Sequence, residues 1–299
     1  MVSTFFPKQV GPPGGDAEKN MTRDDLESVS IEIRLLLEAI YLKYGYDFRD
    51  YSWASIKRRI RHSFNMSGLA SISAMQHAVL NDQVFFVKLL ADLTVNITEM
   101  FRDPSFYRTI REKLLSHLNK YPFCKIWHAG CATGEEVYSM AILLKEHGLY
   151  EKTQIYATDV NEPVLAEARE GIYPIQRMKQ FTTNYQKSGG IESFSDYYTA
   201  SYHSAIIDNS LKENVVFAAH NLVTDGVFGE MHMIVCRNVL IYFNSSLRNR
   251  VLRLFHESLL EGGFLCLGSK ESLMFTDFAN DFRELVPTEK IYQKINKPL

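Results

Sequence analysis

The chain has 299 residues, 46% of them hydrophobic, and a formal net charge of −2 at neutral pH. That content can bury one large core plus a small one, and the weak net charge creates no global field toward nucleic acid or a membrane. No apolar stretch approaches the ~20 residues that span a bilayer, no basic-then-apolar leader is present, and the four cysteines (Cys124, Cys131, Cys236, Cys266), without a C-x-x-C pair, read as buried thiols of a reducing, cytoplasmic compartment rather than disulfides or metal ligands.

In chain order, Met1 to Asn20 carries Gly11-Pro12-Pro13-Gly14-Gly15 and reads as a flexible tail. Residues 21–94 read as a helical domain. Val29, Ile33, Leu36 and Ile40 form one apolar stripe; Ile56, Ile60 and Phe64 form another. Lys57, Arg58, Arg59 and Arg61 interleave with the second stripe and are expected to project from the side opposite the core. They are either a solvated helix face or a docking surface for an acidic partner.

Residues 95–299 alternate strands and helices, the mark of a mostly parallel sheet. Cys124-Lys125-Ile126-Trp127 reads as a strand, His128 to Glu136 as a glycine turn, and Val137 to His147 as a helix with Val137, Met140, Ala141 and Leu144 on one face. Gly130 and Gly134 permit a tight turn and close approach of a ligand. Their G-x-x-x-G spacing does not meet the dinucleotide fingerprint G-x-G-x-x-G. Thr133 and Glu136 also fit a T-x-x-E capping box.

Gln154 to Thr158 is the next strand, ending at Asp159, which is placed to accept ribose hydroxyls or to cap the helix from Glu162 to Gly171, a task for which Asn161 competes. The stretch 174–213 breaks the alternation. It holds Gly189-Gly190 and the aromatics Phe194, Tyr197, Tyr198 and Tyr202, and reads as a small inserted subdomain. Asn214 to Ala219 is a third strand, ending at Asn221-Leu222. Val235 to Phe243 reads as a strand with Arg237 and Asn238 in its middle, polar groups that need partners in a core or a ligand. Gly263 to Gly268 and Lys290 to Ile295 read as two strands of an antiparallel edge.

Polar residues thus recur where ligands of open α/β sheets bind: Gly130, Asp159, Asn221 and Asn238 on successive strands point to a nucleoside site. The motifs Asn96-Ile97-Thr98-Glu99-Met100-Phe101-Arg102-Asp103, Ala132 to Ser139, Ala157-Thr158-Asp159-Val160, Gly171-Ile172-Tyr173 and Cys236 to Phe243 go further. From about Leu26 to Tyr292 the chain resembles the CheR-type chemoreceptor glutamate methyltransferases of bacterial chemotaxis. It departs from them at Met100, where the family usually has a second aromatic, between Tyr173 and Asn214, and at Lys270.

The resemblance implies a Rossmann-like methyltransferase sheet with an N-terminal helical docking domain and a small inserted β subdomain. It implies S-adenosylmethionine as cofactor, S-adenosylhomocysteine as product, and a monomer acting on a methyl-accepting chemoreceptor without entering the membrane. Asn96, Thr98 and Arg102 would close over the cofactor; Gly130 would carry it at the turn; Glu136 and Asp159 would hold its amino or hydroxyl groups. Asn221 and Leu222 would flank the adenine, and Arg237 and Asn238 would face the methionine end. Lys57, Arg58, Arg59 and Arg61 would dock the receptor.

A glutamate carboxylate is ionised near neutral pH and needs no general base, so catalysis is expected to rest on positioning and water exclusion. Arg102 can present a donor fork to a carboxylate, and Tyr242 can line the transfer channel or serve as a core aromatic. These are the expected catalytic residues. The competing readings are a cofactor-sensing interaction module, a methyltransferase of another protein in a chemotaxis-like pathway, and a small-molecule methyltransferase, which would show a deep apolar pocket.

Overall fold

A computed structural model of the protein describes residues 23–94 and 96–295. The tail expected at Met1 to Asn20 lies outside the described residues. The N-terminal part is a bundle of α1 (Arg23–Tyr44), α2 (Trp53–Ser67), α3 (Ile72–Asn81) and α4 (Gln83–Leu93). Ile33, Leu36 and Ile40 of α1 meet Ile56 and Ile60 of α2 in a core completed by Met75, Val79, Phe86 and Leu89. The Ser71 side chain accepts from the Ala74 N–H, and the Asp82 side chain accepts from Val84 and Phe85, so both later helices begin on capped donors. Among the described residues, no helix is long and apolar enough to cross a membrane.

The chain then runs through an irregular segment into α5 (Pro104–Thr109), a π-helical turn Ile110–Leu114, and α6 (Leu115–Leu118). Met100, at the departure from the family pattern, is fully buried in the main core. The central sheet contains β1 (Cys124–Ala129), β2 (Thr153–Asp159), β6 (Val215–Ala219), β7 (Met231–Cys236), β8 (Leu259–Leu267), β9 (Phe282–Val286) and β10 (Ile291–Lys294). Among the described residues it has seven strands in the order β6-β2-β1-β7-β8-β10-β9. The first five are parallel, and β10 and β9 are antiparallel.

The expected antiparallel pairing of Gly263 to Gly268 with Lys290 to Ile295 holds, as β8 with β10, but its place at the edge needs correction. Gly263 to Gly268 belongs to β8, which lies inside the sheet, parallel to β7. The outer edge is β9, whose central Arg283 and Glu284 hide its strand character and suit an exposed edge.

A second correction concerns Val235 to Phe243. β7 stops at Cys236, Asn238 takes a left-handed φ of 62°, and Leu240–Tyr242 form a 3₁₀ turn. The cause is the buried Glu271 carboxylate, which accepts from the Asn238, Ile241 and Gly268 N–H groups and so replaces a strand ladder.

Helix α7 (Glu135–Glu146) follows the glycine turn, α8 (Glu162–Glu170) follows β2, and α10 (Ser245–Ser258) precedes β8. The single apolar face expected for α7 understates it: the run from Val137 to Leu144 is buried on every side. Tyr185 and Tyr197 of the insert donate to Glu146 of α7, and the Phe101 N–H, ahead of α5, donates to its Ser139. The insert comprises β3 (Ile172–Pro174), α9 (Met178–Lys187), β4 (Tyr198–Ser201) and β5 (Ser204–Ile207). Its strands form a separate antiparallel sheet in the order β3-β5-β4.

Candidate active site

At the C-terminal ends of β1, β2, β6 and β7 the chain leaves a cleft of two lobes. The first is lined by Asn96, Asp159, Asn221 and Leu222, with Tyr51 and Thr94 from the helical side, and occupies about 640 Å³ including its open mouth. The second is lined by Thr98, Arg102, Glu136 and Arg237 and occupies about 770 Å³ on the same measure. Gly130, Asn238, Val239 and Tyr242 belong to both. The cofactor and catalytic residues expected from the sequence therefore line two adjoining lobes at the switch point of the sheet.

The pinch between the lobes depends on a glycine. Gly130 has φ +78°, and a Cβ there would meet Val239 Cγ2 at 2.5 Å. The turn must present bare backbone at this point. Asp159 stands at the tip of β2. Its Oδ2 accepts from the Ala132 N–H at 3.0 Å, and its Oδ1 accepts from the Asn161 N–H at 3.0 Å. Burial raises its pKa, offset in part by these backbone donors. A carboxylate has about four acceptor positions, so each oxygen keeps capacity for a ligand hydroxyl. The capping alternative falls: α8 has Asn161 at its N-cap position, and neither side chain caps it. Instead the Asn161 Nδ2 donates to Thr94 Oγ1 at 3.0 Å, tying α8 to the end of the helical bundle.

Glu136 does not form the expected capping box. α7 starts after Gly134 without a side-chain cap, and Thr133 Oγ1 donates to Glu135 Oε2 at 2.6 Å. Glu136 is drawn the other way, with Oε1 3.1 Å from His128 Nδ1 and Oε2 3.3 Å from Arg237 Nη1. Burial alone would raise its pKa, but the His128 hydrogen bond and the Arg237 charge bring it below the usual carboxylate value.

Arg237 is held through both terminal nitrogens and one face of its guanidinium. Its Nη2 pairs with Asp103 at 2.6 Å, its Nη1 donates to the Arg102 carbonyl, and its guanidinium lies 4.1 Å from the Phe106 ring centroid. It clamps the segment before α5 to α7 while lining the second lobe. Arg102 Nη1 donates to the Ile97 carbonyl at 3.3 Å. Asn96 Nδ2 reaches Thr94 Oγ1 at 3.4 Å, and the Asn221 side chain accepts from the Val223 N–H. Four non-glycine residues around the cleft have positive φ: Phe101, Asp103, Ala132 and Asn238. Such clustering is the usual mark of a site whose surroundings impose its backbone.

The basic cluster of α2 divides. Arg58 is exposed, and Lys57 and Arg61 are half-buried. Arg59 does not project away from the core side as expected. Its guanidinium lies over the Tyr242 ring, and its Nη1 donates to the Leu93 carbonyl. The domain contact brings it there: Tyr51 bridges Phe243, and the Ser52 N–H donates to the Tyr242 carbonyl at 2.7 Å. Sequence reasoning missed Tyr51 and Thr94, which lie far from any glycine turn, and Asn161, which read as a cap.

A mostly parallel sheet, a glycine turn and an acidic tip on the next strand are the marks of a nucleoside site at a switch point, and the match of residues 96–291 to a methyltransferase family pattern makes the class an S-adenosylmethionine-dependent methyltransferase. The cleft fits that cofactor on two observations: the remaining acceptor capacity of Asp159, and the side-chain-free backbone of Gly130 in the lining of both lobes. The family pattern described as CheR methyltransferase, SAM binding domain, matches residues 96–291, and the CheR all-alpha domain matches residues 31–94. The chain is 53% identical over 267 residues to the putative methyltransferase Cher3 of Pseudomonas putida, covering 89% of this chain and 98% of that one. It is 27% identical over 276 residues to a chemotaxis protein methyltransferase of Borreliella burgdorferi, covering 85% and 90%. A chemotaxis protein methyltransferase of Vibrio parahaemolyticus is 31% identical over 215 residues, covering 69% and 76%. The chain belongs to the CheR methyltransferase family.

Proposed function

We propose that this protein is a cytoplasmic protein-glutamate O-methyltransferase that esterifies side-chain carboxylates of a methyl-accepting chemoreceptor. The state of Glu136 carries the reading. It is the carboxylate among the residues lining the second lobe, it is engaged by His128 and Arg237, and it is held ionised below the usual range. A group so occupied does not serve as a general base. The donors that line the lobe, Arg102 and Tyr242, suit a nucleophile that arrives already anionic.

Asp159 would hold the ribose hydroxyls, Asn221 and Leu222 the adenine, and Gly130, Glu136, Thr98 and Asn238 the methionine end. Bound there, S-adenosylmethionine supplies an electrophilic methyl on a sulfonium. The Arg102 fork orients the incoming carboxylate, and the Tyr242 ring closes the lobe against water. Arg58, with Lys57 and Arg61, offers a basic surface for the acidic receptor. The test is transfer of labelled methyl from S-adenosylmethionine to a membrane fraction of the native cell. Label released as volatile methanol by mild base supports a glutamate ester. Binding without transfer to any fraction favours a sensing module, and label that stays base-stable points to another protein site.

A further inference from the structure

The segment Asn96–Asp103 forms one wall of the second lobe, and its two ends are fastened differently from its middle. At its far end the Phe101 N–H donates to Ser139 Oγ at 2.9 Å, Asn184 Nδ2 donates to the Met100 carbonyl at 3.0 Å, and Arg237 Nη1 donates to the Arg102 carbonyl. At its near end Thr94 is held by Asn161. Between Ile97 and Glu99, among the described residues, the hydrogen bond from outside the segment is that of Arg177 Nη2 to the Thr98 carbonyl. Ile97 is largely exposed and Thr98 and Glu99 are only half-buried, so packing alone holds this stretch weakly.

Arg177 belongs to the insert, just before α9, and is itself well placed. Its Nη1 pairs with Glu135 Oε1 at 2.7 Å, and its guanidinium lies 4.8 Å from the Phe181 ring centroid. Glu135 is fully buried at the start of α7 and also accepts from Thr133. The insert touches the glycine turn a second time, through Tyr173 Oη to the Thr133 carbonyl at 2.7 Å. One planar fork thus joins the insert, the turn and the cofactor wall, a task that a lysine point charge does not reproduce.

We propose that Arg177 is a positioning residue for the cofactor site, setting the Thr98 stretch against the turn so that the insert acts as a buttress of the cleft. This rests on the cleft holding S-adenosylmethionine. The test uses the full chain and S-adenosylhomocysteine as calorimetric probe, with amide exchange alongside. Arg177→Met is expected to weaken binding roughly ten-fold, the scale of one lost hydrogen bond to a charged donor. Exchange is expected to quicken at the Thr98 and Glu99 amides without change in β1. Arg177→Lys is expected to fall between.

Because Arg177→Met leaves Glu135 buried without its cation, the double variant Glu135→Gln/Arg177→Met separates the two effects and is expected to bind as weakly as the single one. Wild-type affinity in the double variant, or exchange that quickens equally throughout α7 and β1, reduces Arg177 to a stability role and overturns the proposal. A wild-type chain that binds no S-adenosylhomocysteine removes the cofactor reading itself, and the proposal with it.

Discussion

The Arg59 guanidinium lies 4.7 Å from the centroid of the Tyr242 ring, with one of its nitrogens donating to the Leu93 carbonyl. A helix of the N-terminal domain thereby reaches one of the four residues shared by both lobes of the cleft. The backbone beneath the ring is fixed independently by the Ser52 N–H, so Arg59 governs the ring rather than the chain.

Arg59→Met is accordingly expected to lower turnover more than it lowers cofactor affinity. Loss of a partly desolvated cation–π contact is worth about 1–2 kcal/mol, roughly a five- to thirty-fold effect. Tyr242→Phe keeps the ring and the cation above it, so it isolates the hydroxyl. Steady-state methylation beside calorimetric titration with S-adenosylhomocysteine checks both. Wild-type turnover in each variant would refute the assignment.

Gly130→Ala is expected to abolish measurable cofactor binding and to destabilise the fold. The left-handed φ costs a substituted residue about 1–2 kcal/mol, and the contact with Val239 adds to it. Val239→Ala in the same chain is expected to recover the steric part and leave the φ part. Urea denaturation of the single and double variants measures the division.

Glu136 makes stability depend on pH. Its pKa is lowered in the folded state, so the unfolded chain binds its proton more readily. The stabilisation is complete above the ordinary glutamate value near 4.3 and is lost as pH falls from there through the folded value. Glu136→Gln is expected to cost about 1.5–3 kcal/mol at pH 7 without cofactor, with the gap to wild type closing toward pH 3. Denaturation midpoints across that range would show it, and a constant gap would contradict it.

Arg58→Glu is expected to slow methylation of receptor-bearing membranes at low salt while leaving cofactor affinity unchanged, because Arg58 is exposed and away from the cleft lining. The deficit should shrink as salt rises, since exposed charges are screened over about 8–10 Å near physiological ionic strength. Initial rates at two salt concentrations suffice; equal rates at low salt would leave α2 a solvated face.

Most of the sheet was legible in the sequence because β1, β2, β6 and β7 are short apolar runs ending in polar residues. The misreadings share a physical cause. Val235 to Phe243 has the composition of a strand, but a carboxylate 33 residues further on takes its N–H groups. Thr133 and Glu136 have the spacing of a capping box, but His128 and Arg237 outcompete the helix terminus for Glu136. Arg59 shares its helix with Arg58 and differs only in which neighbour the domain contact brings to it. Periodicity cannot anticipate such long-range partners. Arg177 left no signal either, since a single arginine in a divergent insert carries no motif.

The first lobe of the cleft is walled on one side by Tyr51, Leu93 and Thr94, residues of the helical domain. Grafting that domain from one relative onto the sheet of another would exchange the proposed docking face of α2 and, with it, one wall of the first lobe. Single substitutions on the exposed face of α2 leave that wall untouched, whereas exchange of the whole helical domain replaces Tyr51, Leu93 and Thr94 together and changes the first lobe with it.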